Sequence, residues 1–115
     1  MATTMQAAQA YQASSSHRSQ RAQEADVFRR AIGALRGARG ADPITRTRAL
    51  ADNRRLWMMV VDLVQDPANA LPPELRAAIA SVGLAVQREM NRDLPDFDFL
   101  IAVNENIADG LSGPA

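Results

Sequence analysis

The spacing of glycine and proline constrains this chain more than any other feature. Gly37, Gly40 and Pro43 form one cluster, Pro67, Pro72 and Pro73 a second, and Pro95 stands in a third. The stretches between them are rich in Ala, and β-branched residues are few outside residues 60–64. Such composition favours helix over strand. Short breaks between long helical stretches favour antiparallel neighbours. The expected fold is all-α, a small up-and-down bundle of four main helices with a weaker N-terminal helix before them.

Each stretch carries its own start and stop signals. Residues 2–13 have good helix propensity but little apolar mass, and Ser14-Ser15-Ser16 reads as a turn after them. Residues 19–38 place Phe28, Ala31, Ile32 and Leu35 on one stripe with Val27 beside it, and several Arg fall off that stripe. Asp42-Pro43 supplies an N-cap carboxylate and a first-position Pro for a helix running to about Gln65. In that helix eight of the nine residues from Leu56 to Val64 are apolar, so it is expected to be central and buried on nearly all sides, with Trp57 as core anchor. Pro72 or Pro73 opens the next helix, whose Leu75, Ile79, Val82, Val86 and Met90 form a core stripe. Asp96 caps the last one, which runs through Phe97, Leu100, Ile101, Asn104, Ile107, Ala108 and Leu111 and ends near Gly110. The 115 residues fit one domain, with 1–18 as a weaker helix and loop and 19–111 as the bundle.

Several function classes are excluded or disfavoured. The chain has no Cys and a single His, His17, which removes disulfides, thiolate chemistry and Cys- or His-built metal centres. The longest unbroken apolar run is Leu56 to Val61, far below the ~20 residues that span a bilayer. No apolar stretch of the roughly 7–15 residues of a secretory signal follows the first residues, so a soluble cytoplasmic protein without a membrane contact is expected. Asp96 and Asp98 resemble a catalytic carboxylate pair, but a helix cap followed by a first-turn acid accounts for them better. Gly37-Ala38-Arg39-Gly40 lacks the Lys-Ser/Thr of a phosphate loop. The expectation is a protein that is not an enzyme, with no cofactor, no metal and no small-molecule substrate.

Charge is polarised. Residues 1–55 hold ten Arg against four acids, a balance of +6, and residues 56–115 hold three Arg against nine acids, a balance of −6. Packing of the two halves on each other is the plainer account. Phosphate binding is the sharper one, but single-stranded RNA recognition usually adds stacking aromatics. Three of the five aromatic residues fall on core stripes, so RNA is the weaker alternative. A hydrophobic groove that holds an amphipathic partner helix fits better, with the apolar excess around residues 56–64 supplying the surface.

The motifs then resemble one family. Tyr11, R-x-x-E-x-x-x-F (Arg21, Glu24, Phe28), N-R-R-L-W (Asn53 to Trp57), D-P-A-N-x-L-P-x-E-L-R-A (Asp66 to Ala77) and V-N-x-N-I-x-x-G-L (Val103 to Leu111) occur in order, and together they resemble FlaF, a small flagellar regulator of alphaproteobacteria. The resemblance implies a non-enzymatic, flagellin-binding secretion chaperone that promotes flagellin synthesis and export, opposing the repressor FlbT. The alternatives are direct action on flagellin mRNA and an adaptor that binds FlbT. On this view the partner-facing residues are Tyr11, Phe28, Arg54, Arg55, Leu56, Met58, Met59 and Val60. Tyr11 would sit on a first helix that covers the groove until a partner displaces it.

Overall fold

The computed structural model describes the backbone of residues 4–112 and the side chains of residue 7 and residues 22–111. Within this range the chain forms four helices and no strand: α1 (Thr4–Ala38), α2 (Pro43–Gln65), α3 (Pro73–Met90) and α4 (Phe97–Ser112). Their boundaries follow the punctuation. Gly40 takes φ +79° in the turn after α1, a conformation glycine adopts without a Cβ penalty. Pro43 and Pro73 stand at the first turns of α2 and α3, where a missing N–H costs no helical bond. Asp42 is the N-cap of α2 by position, but its carboxylate makes no capping bond. Asp96 does cap α4, accepting from the Phe99 N–H at 3.1 Å.

Two expectations of the sequence are corrected here. The break at Ser14–Ser16 is absent, and α1 runs unbroken through it. A serine costs a helix only about 0.5 kcal/mol relative to alanine, and neither Gly nor Pro interrupts residues 4–32. The second concerns α2, which is not buried all round: Met58, Met59 and Leu63 are each more than half exposed. The apolar run outnumbers the neighbours available to cover it.

The helices pack as antiparallel neighbours. α1 lies along both α4 and α2, α3 lies along α2, and α3 and α4 barely meet. Arg39 pairs with Asp98 and Arg36 with Glu105, so α1 and α4 run in opposite directions. By this register α4 ends near the level of Ala25, and the first half of α1 continues past it. The 35 residues of α1 span about 52 Å, which accounts for a molecule 63 Å long and only 27 by 20 Å across. The same two ion pairs show the basic first half of the chain meeting its acidic second half.

The core is centred on Trp57, fully buried between Phe28, Leu35, Val86 and Leu100. The Phe28 ring meets it edge to face, with centroids 5.9 Å apart. α2 and α3 approach closely at Gly83, where a Cβ would lie 2.6 Å from Val61 Cγ2. Of the stripe expected on α3, Val86 and Met90 are buried and Ile79 and Val82 partly so, whereas Leu75 is 46% exposed because the start of α3 has little packed against it.

One polar chain crosses this core. Trp57 Nε1 donates to Asn104 Oδ1 at 2.9 Å, Asn104 Nδ2 donates to Asn53 Oδ1 at 2.7 Å, and Asn53 Nδ2 reaches Met90 Sδ at 3.4 Å. The indole N–H only donates, which fixes the orientation of the Asn104 amide and, through it, of the Asn53 amide. Both asparagines are fully buried. Buried amides are tolerable when partnered in this way, and the chain links α2, α3 and α4 in one register.

Candidate functional site: an apolar groove at one end of the bundle

The unused apolar surface of α2 gathers into a groove of about 180 Å³ to which all four helices contribute. Phe28 and Leu56, both buried, form its floor. Val60 and Val64 continue it along α2, and Met59 and Leu63, 58% and 53% exposed, form its α2 lip. Val27 and Glu24 stand on the α1 side. Ile79, Ile107 and Leu111 close the end where α3 begins and α4 finishes. Residues 56, 59, 60 and 63 recur at i, i+3, i+4 and i+7, so a single helical face supplies the α2 wall.

The connector after α2 holds one end of the groove in place. Asp66 Oδ1 accepts from the Ala68 N–H at 2.9 Å, and the Asp66 carbonyl accepts from Asn69 N–H at 2.9 Å and Arg76 Nη1 at 3.2 Å. Asn69 turns its amide both ways, donating to the Leu63 carbonyl at 3.0 Å and accepting from the Leu71 N–H at 2.9 Å. These bonds tie the end of α2 to the start of α3 and set Leu71 at the groove edge. The D-P-A-N-x-L-P-x-E-L-R stretch therefore builds one end of the groove as well as punctuating the helices.

The partner-facing residues expected from sequence divide into groups. Phe28, Leu56, Met59 and Val60 come together in the groove. Met58 is 53% exposed but lies outside it, because α2 turns it toward a different face. Arg54 and Arg55 are exposed and also lie outside the groove: Arg54 Nη2 donates to the Met90 carbonyl at 3.4 Å, and Arg55 pairs with Asp52 one turn earlier on its own helix. Both arginines thus face outward, one bonded at the α2–α3 contact and the other in a surface pair. The backbone of Tyr11 belongs to the unbroken helix α1, and its side chain, with the covering role expected of it, lies outside the described residues. Sequence reasoning missed Glu24, Val27, Leu63, Leu71, Ile107 and Leu111 as groove residues. Leu63 was detectable from its i+3 and i+7 spacing to Val60 and Leu56, and Glu24 as a motif residue.

At the opposite end, a cleft of about 460 Å³ lies between the α1–α2 turn and the α3–α4 connector, lined by both signs of charge, including Arg39, Arg46, Asp93 and Asp98. Among the described residues no group of three His, Asp or Glu is placed to hold a metal ion. No helix of the described residues is long and apolar enough to cross a membrane.

Residues 7–111 match the family model described as flagellar protein FlaF. The chain belongs to the FlaF family. No curated protein and no solved structure matches it. The matched span includes all four helices from residue 7 onward, so the whole groove lies within the FlaF homology. Membership gives the chain a flagellar role.

Proposed function

We propose that this FlaF-family protein is a flagellin-binding secretion chaperone and regulator, which holds an amphipathic helical segment of flagellin in the α1–α2 groove and so promotes flagellin synthesis and export. The observation that carries the reading is the groove: apolar walls from every helix, a floor already satisfied by Trp57 packing, and a lip of half-exposed Met59 and Leu63. Amphipathic helices are recognised by such grooves through anchors at i, i+3, i+4 and i+7. Methionine at the lip suits this task, since its unbranched side chain adapts to different apolar partners. RNA binding draws less support, because Arg36 and Arg39 of the basic half are engaged by Glu105 and Asp98.

Co-purification tests the reading. Nuclease-treated protein is expected to retain flagellin, and Met59→Asp to lose it while remaining helical and folded. FlbT, assayed separately under the same conditions, distinguishes an adaptor from a chaperone. Failure of the wild-type protein to hold flagellin at all would contradict the reading.

A further inference from the structure

Among the described residues the groove is apolar except at Asn69, whose amide is bonded to the connector backbone, and at Glu24. Glu24 is the one charged side chain among the described residues lining it, half-buried on the α1 side one turn before Val27 and Phe28. It makes no hydrogen bond and no ion pair among the described residues, as is also true of surface carboxylates such as Asp62 and Glu74, but Glu24 alone of these lines the groove. A half-buried carboxylate at the side of an open groove is satisfied by water. An occupant that fills the groove removes that water, and a carboxylate covered without a partner is strongly disfavoured. The occupant therefore has to bring a positive charge to this point or leave the groove partly open.

We propose that the occupant is a helical segment of flagellin whose apolar stripe is flanked by a Lys or Arg, and that Glu24 receives this cation. The inference rests on the flagellin reading of the groove and adds the feature that selects the segment. The apolar lip admits amphipathic helices in general. Glu24 admits those with a cation beside the stripe and rejects those with an acid there, a division between affinity and specificity common at interfaces.

Two synthetic amphipathic helical peptides, identical except for Lys or Glu beside the apolar stripe, test the selection by titration against the full chain. Wild type is expected to bind the Lys peptide about tenfold or more tightly than the Glu peptide. Glu24→Gln should flatten this preference and Glu24→Lys should reverse it. Glu24 makes no hydrogen bond and no ion pair among the described residues, so circular dichroism of both variants should match wild type. Equal binding of the two peptides by wild type, binding of neither, or an unchanged preference in Glu24→Lys would overturn the proposal.

Flagellin co-purification separates this result from the functional reading. Flagellin retained equally by wild type and Glu24→Lys leaves the chaperone standing and removes the selection. Peptide selection through Glu24 without flagellin binding removes flagellin as the occupant. The chain's own residues 4–21 carry Arg18 and Arg21 and no acid, so sedimentation across a concentration range completes the test. A dimer abolished by Glu24→Lys would make a second copy the occupant and overturn the proposal.

Discussion

The two sides of α2 meet opposite conditions. On one side, Trp57 and Asn53 are fully buried and every polar atom in the Trp57–Asn104–Asn53 chain has a partner. On the other, Met59 and Leu63 remain more than half exposed in a groove whose one carboxylate, Glu24, has no hydrogen-bond or ion-pair partner among the described residues. The same helix thus holds a fully satisfied surface and one left half-exposed. Stability and register reside in the first, and capacity for a partner in the second. Substitutions on the two sides should therefore separate folding from binding.

Trp57→Ala should have the largest effect on folding. It empties the centre of the core and removes a hydrogen-bond donor, and a loss of about 3–5 kcal/mol is expected in denaturant titration. Asn104→Leu comes next. It keeps the volume but strands both the Trp57 N–H and the Asn53 carbonyl, so a loss of about 2–3 kcal/mol is expected. A neutral result would show that the polar chain contributes little and would weaken the contrast between the two sides. Gly83→Ala sharpens it further: the new Cβ meets Val61 Cγ2, a stiff β-branched atom, and overpacking of about 1–3 kcal/mol is partly offset by about 1 kcal/mol of helix propensity. Arg36→Ala removes an exposed ion pair with Glu105 and should change stability by less than about 1 kcal/mol.

The sequence made the helices legible and the surfaces only partly so. The ends of α2 and α3 fall where Asp42-Pro43, Asp66-Pro67 and Pro72-Pro73 place them, because these residues act through local backbone geometry. The Ser14–Ser16 turn failed because serine lowers helix stability without forbidding helix. The buried chain of Asn53 and Asn104 was only half visible: Asn104 stood on an apolar stripe, but its partner lies on another helix and no spacing reveals it. Sorting Met58 from Met59 needed the third dimension for the same reason. Adjacent residues differ by about 100° around a helix, and only the positions of α1 and α4 decide which of the two meets the groove. Arg55 stayed with Asp52 on its own helix, where the two stand three apart.

Met59→Asp gives the most direct test of the account. Met59 lies on the groove lip and outside the core, so the variant should unfold within about 1 kcal/mol of wild type, the range of an exposed helical substitution. At matched concentration and fully folded, it should fail to retain flagellin that wild type holds. Flagellin held equally well by folded Met59→Asp would contradict the claim that the groove is the binding surface.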